Sequence, residues 1–178
     1  MIKPSRNQLI MIIITVLVCG YFTIRYIAAV KRDSLFNYAA QPKKIKLFYI
    51  NENGKLQAEK REIQGATSVL DDVKICVIEL AKGPKEKGLF GTLPKDTELR
   101  EVYLDDNRCL YLDFTKSIIN NPKGGTTAET QLIYSLVNTI LENFGQIASV
   151  RFLVEGQEVK TIGGHLDVNR PLRGKKLE

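Results

Sequence analysis

The sequence predicts an α+β domain, a mixed or antiparallel sheet packed with two helices in the order ββαββαβ, preceded by one N-terminal transmembrane helix. Three observations carry that expectation. Leu9 to Ile24 runs without a charge; segments of period-two hydrophobicity recur between Lys44 and Glu155; and two stretches among them carry apolar residues at helical spacing.

Composition narrows the classes. The 178 residues include 26 Lys+Arg and 20 Asp+Glu, a net charge of +6, with one histidine, three cysteines and no tryptophan. A hydrophobic fraction of 44% and a charged fraction of 26% belong to one globular domain and exclude disorder, collagen-like repeats and a disulfide miniprotein. Residues 1–40 hold five basic side chains and one acid, so the rest of the chain carries 21 basic and 19 acidic groups and is nearly neutral. The basic excess flanks the apolar segment instead of forming a face, and nucleic-acid binding loses its main support.

Residues 1–8 read as a flank and 9–30 as an anchor in the membrane. A spanning helix needs roughly 20 apolar residues, and Leu9 to Val30 supplies that length if Arg25 snorkels from near one end. A cleaved signal, the alternative, has a shorter apolar region of about 7–15 residues before its cleavage site. Cys19 follows Leu17-Val18, which is not a lipoprotein cleavage pattern. Lys3 and Arg6 precede the segment while Arg25, Lys31 and Arg32 follow it, so charge leaves the orientation open. Residues 31–43 form a tether.

The period then changes to two. Ile45, Leu47 and Tyr49 alternate with Lys44, Lys46, Phe48 and Ile50, Asn51 to Lys55 supplies a turn, and Leu56 to Ile63 returns as the second strand. Thr67 or Ser68 caps a helix with apolar positions Val69, Leu70, Val73, Val77 and Leu80 that stops at Gly83-Pro84, and Asp71-Asp72 suits its N-terminal dipole. Residues 85–98 read as a loop touching the core through Leu89, Phe90 and Leu93. Leu99–Leu104 and Cys109–Phe114 form a second hairpin across Asp105-Asp106-Asn107. Thr126-Thr127-Ala128-Glu129 matches a capping box ahead of the stripe Leu132, Ile133, Leu136, Val137, Ile140, Leu141, Phe144. Ser149–Glu155 is the last full strand, and Val159–Ile162 an added edge strand.

Several of these landmarks resemble the GerMN domain family, the module named for a spore germination protein. They are KIKLFYINENGKL, ELAKGP at Glu79–Pro84, LPKDTELREVYL from Leu93, LYLDFT from Leu110, GGTTAETQLIYSLVNTI from Gly124, VRFLVEG from Val150 and TIGGHLDVNRPL from Thr161. They run in order through residues 44–172, leaving 173–178 as a basic tail. The motif residues carried over are Gly83, Pro84, Pro94, Asp113, Asn138, Thr139, Gly156, Gly163, Gly164, His165 and Pro171. The resemblance implies an extracytoplasmic domain on a lipoprotein signal or a membrane anchor, in sporulating and other bacteria, that works by binding and assembly. Envelope proteins or the cell wall are then its partners. The chain departs from the family in lacking a lipoprotein cysteine at Cys19 and in having length for one domain where the namesake has two.

No phosphate loop, zinc-protease helix, CxxC pair or nucleophile elbow occurs, and no cofactor or metal is expected. The lone histidine, His165, with Asp167 two residues on and Asp113 as a further acid, is the weak catalytic candidate, the basis of an alternative reading as a peptidoglycan hydrolase. Against it stands a reading in which His165 and Asp167 close the domain edge and Asp113 holds loop backbone. Glu129 is assigned to capping. Cys76 and Cys109 are either a disulfide or two buried thiols. Lys44, Lys46, Arg100, Arg108 and Arg151 are expected on one solvated sheet face, and the soluble part alone is expected to be monomeric.

Overall fold

The computed structural model describes residues 7, 8, 11, 15, 16, 18–26, 41–119 and 125–175. The chain forms two compact units, Met1–Gln41 and Pro42–Glu178. In the first, residues 18–26 are helical. Among the described residues no helix is long and apolar enough to cross a membrane. The spanning helix expected over 9–30 therefore has no counterpart there; much of that stretch and residues 31–40 of the expected tether lie outside the described residues, while Pro42 and Lys43, expected in the tether, already belong to the first strand.

The second unit holds strands β1 (Pro42–Asn51) and β2 (Leu56–Gln64), helix α1 (Val69–Ala81), strands β3 (Leu89–Phe90), β4 (Leu99–Leu104) and β5 (Cys109–Phe114), helix α2 (Gly125–Asn143), and strands β6 (Ser149–Val154) and β7 (Gln157–Glu158). The α+β class and the two helices stand, but the single expected sheet is two. One runs β2-β1-β3, all antiparallel; the other runs β4-β5-β6-β7, with β5 and β6 parallel across the α2 crossover.

The division has a visible cause at the edge of β1. Opposite β2, that edge meets β3 only at Ile50 and Asn51. Farther along, side chains of α2 take the backbone groups a further strand would use. The Lys46 N–H donates to Asn143 Oδ1 at 2.9 Å, Asn143 Nδ2 donates to the Lys46 carbonyl at 2.7 Å, and the Phe48 N–H donates to Thr139 Oγ1 at 3.0 Å. Thr139 and Asn143 sit four residues apart on one helix face, so α2 closes the edge and blocks continuation of the sheet.

Ile45, Leu47 and Tyr49 of β1 point into a core shared with Val73, Val77 and Leu80 of α1, Leu132, Leu136 and Ile140 of α2, and Leu112, Phe114 and Phe152. Strand β5 is buried along nearly its whole length because it is central and parallel to β6. Ser68 is the N-cap of α1, its Oγ accepting from the Asp71 N–H at 3.1 Å. Val69, expected on the apolar face, is exposed, and buried Asp72 lies on the inward side instead. The expected loop over 85–98 contains β3: Leu89 is buried, Phe90 exposed, and Leu93 packs on the core. The edge strand expected over Val159–Ile162 is displaced to Gln157–Glu158, because Glu155 and Gly156 both take positive φ, 54° and 77°, and turn the chain at once.

Candidate functional site

Three constellations of polar side chains stand out, and the first concerns the closing motif. Glu129 lies in α2, wholly buried. Its Oε1 accepts from the N–H groups of Ile162 (3.0 Å) and Gly163 (2.7 Å), and its Oε2 from those of His165 (2.8 Å) and Leu166 (3.2 Å). His165 Nδ1 stands 3.2 Å from Oε2. Burial pushes the carboxyl pKa up, but the backbone donors, Gly163 and His165 foremost, outweigh it and hold it below the ordinary carboxylate range. The capping box is thus a correction: Glu129 serves a remote loop, whose Gly163-Gly164 backbone comes close enough for its amides to converge on one carboxylate.

That arrangement separates the weak catalytic candidates. His165 pairs with Glu129, and Asp167 Oδ1 accepts from the Asn169 N–H at 3.0 Å, an Asx turn unconnected to the imidazole. Asp113 is buried elsewhere, accepting from the Gly156 N–H at 2.8 Å with Arg100 Nη1 at 3.4 Å. Among the described residues no nucleophile is hydrogen-bonded to His165, and no cluster of His, Cys, Asp or Glu could hold a metal. Cys76 and Cys109 are buried free thiols, and burial first, with Asp72 nearby, pushes Cys76 up to about 12.

The second constellation lies under the end of α1. Arg61 and Glu59 of β2 point inward, opposite Ile45 and Leu47 of β1. The Arg61 guanidinium pairs with Glu59, donates to Glu79 Oε2 (3.1 Å) and to the carbonyls of Glu79 and Gly83 (each 3.0 Å), while Tyr49 Oη reaches the same two carbonyls. Glu59 Oε2 also accepts the N–H groups of Lys85 (2.6 Å) and Glu86 (2.9 Å). Against burial, the Glu86 amide and the guanidinium hold Glu59 below its usual range; desolvation pushes Tyr49 up to about 12. Gly83, at φ 86°, supplies the left-handed turn that sends its carbonyl inward. Buried charges are tolerable here because each is paired and hydrogen-bonded.

The third is a groove of about 750 Å³ on the outer face of the β1–β2 ribbon, walled by α2 and by Gly174–Lys175. Asn138 fixes the second wall, donating to the Lys175 carbonyl (2.8 Å) and accepting its N–H (3.0 Å). Four lysines line the groove, Lys46, Lys55, Lys60 and Lys175, against one acid, Glu142, which already pairs with Lys46 at 3.1 Å.

The five basic residues expected on one solvated face prove to be dispersed. Arg108 turns back at φ 62° to donate to the carbonyls of Gly145 (2.7 Å) and Gln146 (2.6 Å) just beyond α2. Arg151 lies over the Tyr111 ring and bonds Glu158 at 3.0 Å, and Arg100 stands beside Asp113 and Glu155. Only Lys44 and Lys46 share the outer face of the first sheet.

Residues 46–160 match the profile of the Germane family, described as sporulation and spore germination. The chain belongs to the Germane family. Solved structures share its fold. A chain described as a lipoprotein from Clostridium perfringens aligns with TM-score 0.53 at 23% identity, over 74% of this chain and 86% of that one. The first GerMN domain of the sporulation protein GerM from Bacillus subtilis gives 0.54 at 20%, over 76% and 94%. The tandem GerMN domains of GerM give 0.56 at 20%, covering 78% of this chain and 45% of the tandem. A comparison with curated proteins returns no match. In this Germane chain several motif residues pin backbone: Gly83 at the Arg61 network, Thr139 at the β1 edge, Asn138 at the tail, and Asp113 at the Gly156 turn. The sequence reading missed the edge closure by Asn143 and the remote role of Glu129. A carboxylate on the core side of a helix, followed much later by Gly-Gly-His, was the available signal.

Proposed function

We propose that this chain is a membrane-anchored, extracytoplasmic binding or scaffolding domain of the bacterial cell envelope, serving sporulation or spore germination through contacts with envelope proteins. Membership of a family linked to sporulation and spore germination supports the setting. The uncharged run Leu9–Ile24 supports the anchor. The observation that carries the binding role is the use of the conspicuous ionisable groups. Glu129, Asp113, Glu59 and Arg61 are all spent on holding backbone, while Lys55 and Lys60, without an acidic partner among the described residues, line an open groove. No cofactor is part of the proposal, and nucleic acid is not a partner in it.

Fractionation of the native bacterium tests the anchor. The full chain is expected in the membrane pellet after alkaline carbonate washing and released by detergent; a variant lacking residues 9–30 is expected in the soluble fraction. Full-length chain in the soluble fraction overturns the anchor.

A further inference from the structure

The outer face of the β1–β2 ribbon carries an arrangement that folding alone disfavours. Lys46 and Lys60 are direct cross-strand partners on the same face, a like-charge pair that costs stability in an antiparallel ladder. Lys46 has Glu142, but Lys60 and Lys55 have no acidic partner among the described residues. Beside this pair the ladder continues as Phe48 opposite Ala58 and Ile50 opposite Leu56, a half-buried apolar shelf. Lysines therefore flank a shelf of half-buried hydrocarbon, inside a groove whose far wall is Lys175.

Resting on the binding role proposed above, we infer that this groove docks an extended acidic segment of a partner protein, its carboxylates on Lys46, Lys55, Lys60 and Lys175 and an apolar side chain on the Phe48–Ala58–Leu56 shelf. Charge complementarity selects the acidic class. The shelf selects a peptide over a phosphodiester polymer, which has no hydrocarbon to bury against it. Lysine, a point charge on a flexible stem, meets single carboxylates without requiring a bidentate geometry. Glu142 passes Lys46 to the incoming acid, so the pair in the free protein is one the ligand exchanges. Desolvating Lys60 beside the shelf strengthens each contact over one in open water.

The test measures fluorescence anisotropy of a labelled Glu-Glu-Leu-Glu-Glu peptide against the full chain in detergent. Lys60→Glu is the main variant and Lys55→Glu a second; each sits outside the core, and Lys60→Glu, by placing opposite charges across the ladder, is expected to keep or raise the unfolding temperature. Expected results are binding that weakens as salt rises, a loss of about tenfold or more in Lys60→Glu, and weaker binding of peptides with Gln for Glu or Ser for Leu. Equal affinity for the Gln peptide, or an unchanged affinity in both variants, overturns the inference. Displacement by inorganic polyphosphate with no loss on Ser for Leu also overturns it, making the groove a site for polyanions. Membrane retention is measured separately, so a failed peptide series with an intact anchor removes this inference alone.

Discussion

Replacing Glu129 by glutamine keeps the volume of a fully buried side chain and removes its charge. The carboxylate presents two oxygens to four backbone N–H groups, two on each. A carboxamide retains one oxygen and points an NH2 group at the other pair of donors, so two N–H groups lose their acceptor. Hydrogen bonds to a charged acceptor contribute about 1.5–3 kcal/mol each, and an unpaired buried donor costs about 1–3 kcal/mol. Relaxation of the loop recovers part of that, leaving a loss of about 3–5 kcal/mol, or roughly a 10 °C drop in Tm for a domain of this size. The loss should be local in origin, with faster amide exchange at Ile162, Gly163, His165 and Leu166 before the rest of the domain. His165→Ala, which removes a half-exposed ring while leaving the four amides bonded, should cost less than about 1 kcal/mol. Thermal unfolding followed by circular dichroism, with hydrogen exchange by mass spectrometry, checks both variants. A Glu129→Gln protein with unchanged Tm and unchanged exchange over 162–166 would refute the reasoning.

Other outcomes follow from the same contacts. Arg61→Ala leaves Glu59 buried without its cation and strips two carbonyls of a donor; it should cost about 3–5 kcal/mol by urea unfolding, whereas Arg100→Ala should cost little. Asn143→Ala uncovers both backbone groups of Lys46 at the β1 edge and should cost about 1–3 kcal/mol, with increased exchange at Lys46. Glu59, Glu79 and Glu129 all titrate below their ordinary range when folded. Their stabilisation is therefore complete above the unfolded carboxylate value of about 4.3 and is lost as pH falls through their depressed values, so the urea midpoint should be flat near neutrality and drop steeply below about pH 4. Residues 41–178, produced as a fragment, should sediment as a monomer at micromolar concentration; a stable oligomer would move a self-assembled scaffold to the fore.

Much of this architecture was legible because it depends on periodicity. The alternation from Ile45 to Tyr49 and the stripe from Leu132 to Phe144 each identify an element and its buried face, and both are buried as read except at half-buried Leu141. What escaped depends on side chains meeting over long sequence distances. A two-residue strand such as β3 has no period to detect. The β1 edge is closed by Thr139 and Asn143, more than 90 residues away, which read locally as polar positions on a helix. Glu129 satisfies a local capping pattern, and only the folded chain shows its carboxylate committed to the Gly163–Leu166 backbone. The candidate site divides in the same way. The His165 neighbourhood is visible as a motif, but that its imidazole meets Glu129, 36 residues away, while Asp167 turns to the Asn169 amide, shows only in the folded chain; the groove is invisible in sequence, because Lys60 and Lys175 share no pattern until the fold brings β2 and the tail to one groove.

The most direct test of an extracytoplasmic, anchored domain is the side of the membrane on which Pro42–Glu178 resides. A thiol introduced by Lys87→Cys lies on an exposed loop, and the native Cys76 and Cys109 are buried. With Cys19 replaced by serine, intact cells treated with a membrane-impermeant maleimide should label this variant as fully as lysed cells do. Labelling that appears only after lysis would place the domain in the cytoplasm and contradict the account.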